Sequence, residues 1–74
     1  MQEYEQKYLY IISKNIKELR ENKGLSQESL AEKVDCSREF INRVENRKED
    51  ASLKMLLKLA YILGVSPERF FESN

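Results

Sequence analysis

The stretch SQESLAEKVDCSREFINRVE, Ser26 to Glu45, decides how the rest of the chain is read. Ser26 is a good helix N-cap, and Leu30, Ala31 and Val34 follow it as the short apolar face of one helix. The chain then turns at Asp35 and Cys36, and Ser37 caps a second short helix. Phe40, Ile41 and Val44 form the inward side of that helix, while Arg38, Glu39, Asn42 and Arg43 point elsewhere. Upstream, Tyr4, Tyr8, Ile12, Ile16 and Leu19 draw one apolar stripe along a first helix ending near Asn22, with Gly24 closing it in the left-handed conformation. Downstream, the polar run from Asn46 to Ala51 lacks periodicity, and Ser52 then caps a strongly apolar helix ending at Gly64. Ser66 as N-cap and Pro67 at the first helical position open a final short helix carrying Phe70 and Phe71. The expectation is all-α: one compact five-helix bundle spanning residues 1–74.

Composition narrows the class of function. The 74 residues hold 13 Lys+Arg and 13 Asp+Glu, no His and one Cys, so neither an internal disulfide nor a Cys/His zinc site can form. No apolar run is long enough to span a bilayer, and the acidic opening MQEYEQKYLYII lacks the basic region of a signal peptide. A cytoplasmic protein without membrane association is expected. With no metal-ligand cluster, no phosphate-binding glycine loop and no nucleophile beside a base, no enzyme activity, cofactor, metal or small-molecule ligand is expected either.

Two short helices joined by a tight turn, the second presenting polar and basic side chains, make the helix-turn-helix arrangement, here at about residues 26–45. The chain from Ile11 to Phe71 resembles the Cro and phage-repressor family of helix-turn-helix regulators, also called the xenobiotic-response-element family. The resemblance is carried by IKELRENKGLSQ (Ile16–Gln27), Ala31 at the tight helix contact, Ile41, the Glu45–Asn46 pair and LGVSP (Leu63–Pro67), in that order and spacing. The size, the extra N-terminal turns and the aromatic C-terminus are also similar to the controller proteins of restriction-modification systems. The resemblance implies a lambda-repressor-like DNA-binding domain and a sequence-specific transcriptional regulator, a repressor acting as a homodimer on a pseudo-palindromic operator. The alternative is a protein-interaction module, such as an antitoxin component, in which the same bundle docks a partner and reads no DNA.

A helix laid in the major groove reads bases with its N-terminal residues, and the positions matching the family's readers are Arg38, Glu39, Asn42 and Arg43. Arg suits guanine, Glu can accept from cytosine N4 and Asn suits adenine, each good pair giving roughly 1–3 kcal/mol of discrimination. A solvated helix face would carry the same residue types. Gln27 matches the position that donates to phosphate, and Ser37, Asn46, Arg47 and Lys48 are the other phosphate candidates. Residues 37–48 carry a net charge of +2 and residues 25–36 one of −2, so the basic stripe is modest and long-range steering weak.

The resemblance also pairs Arg20 on the first helix with Glu45 at the end of the reading helix, a structural ion pair that would hold that helix at its angle. The family pattern has glycine where this chain has Asp35 and Arg47: Asp35 is expected to take a turn that favours glycine, while Arg47 leaves the shape of its loop open and adds a charge near the DNA backbone. Phe40 reads as core, as a wedge against a thymine methyl, or both. Cys36, before an N-cap, reads as a packed thiol or a redox switch. The expected core is Ile12, Ile16, Leu19, Leu30, Val34, Ile41, Val44, Leu56, Leu59 and Leu63. That leaves Tyr61 and Phe71, with Tyr4 or Tyr8, for a dimer interface centred on the C-terminal helix; the alternative is that these aromatics close the core of a monomer.

Overall fold

Serine hydroxyls start three of the helices, and left-handed residues end all four. In the computed structural model, which describes residues 2–73, α1 spans Glu3–Asn22, α2 Gln27–Val34, α3 Arg38–Glu45 and α4 Leu53–Leu63. Ser26, Ser37 and Ser52 each accept a hydrogen bond from the backbone N–H three residues on, at 3.0, 3.1 and 3.1 Å, satisfying donors that the helix itself leaves open. At the other end, the residues with positive φ are Gly24 (74°), Asp35 (59°), Arg47 (62°) and Gly64 (72°). Each follows a helix and closes the same turn: the N–H of the next residue reaches back to a carbonyl five positions earlier, at 3.1, 2.9, 2.8 and 3.0 Å respectively. Asp35 and Arg47 thus occupy, as L-residues, the conformation that glycine takes at the ends of α1 and α4.

The fifth element differs from expectation. Pro67–Phe71 is a 3-10 helix and the architecture is four α-helices plus this turn, with no strand among the described residues. The segment is held by i→i+3 bonds, such as Arg69 N–H to the Ser66 carbonyl at 2.9 Å, the tighter pattern common in such short pieces. Ser66 is not a side-chain cap as expected; its hydroxyl donates to the Glu68 carboxylate, which holds that exposed carboxyl below its usual pKa.

Burial follows the helical faces, with two corrections. Ile16, Leu30, Ala31, Val34, Ile41, Val44, Leu59, Ala60, Leu63 and Phe70 form the core, and Phe70 is the largest side chain fully removed from solvent. Ile12, Leu19 and Leu56 pack against this core and are half-buried. Tyr4 and Tyr8 are exposed: the apolar stripe of α1 runs further toward the N-terminus than the bundle that could cover it. α2 packs on α3 and α4, while α1 runs against α3, α4 and the 3-10 helix. Ala31 is 2% exposed on α2, so a larger side chain there would meet the packed interior and shift α3.

Candidate nucleic-acid interface

α3 has two sides set by its sequence. Ile41, Val44 and Glu45 are buried, and Arg38, Glu39, Asn42 and Arg43 are exposed, so the four residues expected to read bases share an open surface. Phe40 is half-buried and packs against the core, which makes its role mainly interior.

The buried carboxylate of Glu45 is the point from which this surface is held. Arg20 donates to it twice, from Nε to Oε2 at 2.7 Å and from Nη2 to Oε1 at 3.0 Å, and its remaining nitrogen Nη1 donates to the Leu25 carbonyl at 2.8 Å. The two side chains are 9% and 1% exposed, and at such depth a planar fork meeting a carboxylate fixes both partners. Hydrogen bonding to Glu45 raises the Arg20 pKa above its already high ordinary value, against the opposing effect of burial.

From Glu45 the network runs outward. Gln27, the first residue of α2, donates from Nε2 to Glu45 Oε1 at 3.0 Å and accepts on its Oε1 from Asn42 Nδ2 at 3.3 Å. A continuous path of polar atoms therefore leads from the interior, through the residue expected to meet phosphate, to one expected to meet a base. The Asn46 amide folds back onto the Asn42 carbonyl at 2.8 Å, and the Ser37 hydroxyl accepts from the Phe40 N–H, so both of these candidates already serve the ends of α3. Lys48 is exposed, its N–H bonded to the Arg43 carbonyl at 2.8 Å. Arg47 is exposed as well, with its guanidinium carbon 5.5 Å from the centre of the Tyr10 ring on α1. That stack turns a residue in a left-handed turn back toward α1.

Two neighbours of the site were absent from the sequence reading. Tyr10 lies off the apolar stripe of α1, and Glu49 lies in a polar run with no periodicity to mark it. Glu49 Oε1 accepts from Arg43 Nε at 2.7 Å. Arg38 meets Glu39 at 3.6 Å, a looser pairing between neighbours in sequence. Cys36 is half-buried, its thiol facing the Ser37 carbonyl at 3.6 Å, and burial pushes its pKa up, which lowers the thiolate fraction a redox switch would need.

A second surface lies on α4. Leu53, Leu57 and Tyr61 follow one another at intervals of four, so they line one side of the helix, and all three are exposed, Tyr61 by 84%. Phe71 is also exposed. Tyr61 and Phe71 were singled out from sequence; Leu53 and Leu57 were missed, although α4 carries more apolar side chains than one buried side can take.

Comparison with known proteins agrees with this geometry. The helix-turn-helix family HTH_3 matches residues 16–70. The chain is 44% identical over 48 residues to an HTH-type transcriptional regulator of Methanocaldococcus jannaschii, covering 65% of this chain and 73% of that one. It is 39% identical over 57 residues to the control protein C.MunI of a Mycoplasma species, covering 76% of this chain and 77% of the other. Among solved structures, the restriction-modification controller protein C.AhdI from Aeromonas hydrophila superposes with a TM-score of 0.81 at 38% identity, over 85% of this chain and 96% of that one. A hypothetical transcription factor from Neisseria superposes with a TM-score of 0.85 at 31% identity, over 92% and 78% of the two chains.

Proposed function

We propose a specific action for this chain, which belongs to the helix-turn-helix family HTH_3 and is a DNA-binding transcriptional regulator of the Cro and phage-repressor type: it represses transcription as a homodimer on a pseudo-palindromic operator. The observation that carries the reading is the exposed row Arg38, Glu39, Asn42 and Arg43 on a helix whose opposite side is tied to α1 by the buried Arg20–Glu45 fork. Those four side chains read base edges in the major groove. Gln27, Ser37, Asn46, Arg47 and Lys48 meet the phosphates on either side, fixing register without reading sequence. Likeness to two control proteins of known description supports a regulator of this kind.

Dimerisation answers a limit of size. One eight-residue helix contacts too few base pairs to select a unique site among genomic competitors, and a two-fold dimer doubles the site with reading helices about one helical turn, roughly 34 Å, apart. The exposed row Leu53, Leu57 and Tyr61, with Phe71, supports α4 and the C-terminal segment as the seam.

Selection of bound duplexes from a random pool tests the whole reading. The expected product is an inverted repeat, bound at two protein chains per duplex in sedimentation at micromolar concentration, and repressing a promoter that overlaps it in a transcription assay. Arg43→Ala is expected to weaken the preferred duplex by roughly 1–3 kcal/mol and to relax the choice of base at one position per half-site. A pool that yields no enriched duplex removes DNA reading and leaves a protein-interaction module. One chain per duplex, with monomers in free solution, removes the dimer.

A further inference from the structure

We infer that Glu49 determines specificity through Arg43, by fixing which edge of the guanidinium is presented to DNA. The inference rests on the base-reading role proposed for Arg43 and deepens it.

The two outward-facing arginines of α3 are held differently. Arg43 gives its Nε to Glu49 Oε1 at 2.7 Å, a full charge-assisted hydrogen bond, and among the described residues neither of its terminal nitrogens has a hydrogen-bond partner. A guanidinium is planar, so binding at Nε sets the plane and leaves Nη1 and Nη2 as a pair of donors directed away from the carboxylate. Guanine offers O6 and N7 as two acceptors side by side in the major groove, which is what such a pair fits. Arg38 has the opposite arrangement. Its ion pair with Glu39 runs through Nη2 at 3.6 Å, beyond hydrogen-bond length, and draws on the very end of the side chain that would read a base.

Stability does not account for the Arg43–Glu49 pair. Its side chains are 45% and 41% exposed, and ion pairs in such positions contribute under about 1 kcal/mol to folding. What the pair does supply is order: a free arginine surrenders rotamer freedom when it docks, and one already held by a neighbour surrenders less. The same carboxylate is unfavourable beside phosphates, so it weakens binding to every sequence while sharpening the choice among them. These two effects have opposite signs and can be separated.

The experiment uses the full chain, the duplex ranked first in the pool selection, and its single-base-pair variants. Glu49→Ala is expected to bind unrelated duplexes more tightly than the wild type, yet to lose roughly tenfold in discrimination at the base pair where Arg43→Ala loses it. Glu49→Gln keeps an acceptor for Arg43 Nε and removes the charge; it is expected to tighten unrelated duplexes while retaining most of the discrimination. In the Arg43→Ala background, Glu49→Ala is expected to leave discrimination unchanged. If Glu49→Ala tightens all duplexes by one common factor, Glu49 is a repelling charge only and the inference is overturned while base reading stands. If the wild type itself shows no preference among the duplexes, base reading fails and takes this inference with it.

Discussion

Two of the polar side chains that α1 buries, Asn15 and Arg20, hold the molecule in different ways. Asn15 and Arg20 are 3% and 8% exposed and lie five residues apart on the same helix. Arg20 is charged and finds a charge, the two oxygens of the Glu45 carboxylate, with the Leu25 carbonyl as a third acceptor. Asn15 is neutral and finds backbone: its Nδ2 faces the carbonyls of Arg69, Phe70 and Glu72 at 3.3, 2.8 and 2.7 Å. Two amide hydrogens serve those three acceptors, gathering carbonyls at the end of the short 3-10 helix and seating Phe70 in the core. One helix is thus the frame for both exposed surfaces. Arg20 sets α3 and Asn15 sets the aromatic C-terminal end; the first depends on matched charge, the second on hydrogen-bond geometry alone.

Substitution should separate the two. Glu45→Ala leaves the buried Arg20 guanidinium with only the exposed Glu21 carboxylate, 3.9 Å away, and we expect it to lower stability by about 3–5 kcal/mol, measured as the shift in denaturant midpoint. A loss under about 1 kcal/mol would reduce the pair to an ordinary surface contact and dissolve the contrast. Asn15→Ala is expected to cost about 1–3 kcal/mol, the range for buried acceptors left unpaired. Its effect should be local: faster amide exchange around Phe70, weaker association in the proposed dimer, and an unchanged ranking of duplexes. If exchange instead rises equally in α3, the two holds are one cooperative unit. Gln27→Ala should have the smallest effect. It removes an outer bond to Glu45 while Arg20 stays engaged, so stability should fall by no more than about 1 kcal/mol, and affinity for all duplexes should drop by a similar factor. A change in the ranking of duplexes would make Gln27 a reader of bases.

The two holds were unequally visible in the sequence. Arg20 and Glu45 stand at positions whose pairing the family resemblance implies, and a charge that must be buried announces its need for a partner. Asn15 gave no such sign: its partners are backbone carbonyls at least 54 residues away, and any residue type could have supplied them. Helix limits were legible wherever a single residue carries the signal, as with the serine caps of α2, α3 and α4 and Gly24 and Gly64. The last element was expected as the fifth helix of the bundle and is a 3-10 turn, because its cap and proline mark a start but do not set a length. Periodicity misled at Tyr4 and Tyr8, since a stripe records which side of a helix is apolar and not whether anything lies opposite. It was silent for Glu49, because contact across a loop follows no repeat.

The turns that bound α3 carry a further consequence, for exchange of function. On both sides the chain is closed by main-chain hydrogen bonds, from Cys36 N–H to the Ala31 carbonyl at 2.9 Å before the helix and from Lys48 N–H to the Arg43 carbonyl at 2.8 Å after it. The angle of the helix is set from beneath, by Ile41, Val44 and Glu45. The outward side chains therefore form a cassette: Arg38, Glu39 and Arg43 can be replaced as a set, with Glu49 as its detachable fourth member and Asn42 kept for its bond to Gln27, without disturbing what aims the helix. A scaffold divided in this way separates the proposed choice of bases from the contacts that aim the helix.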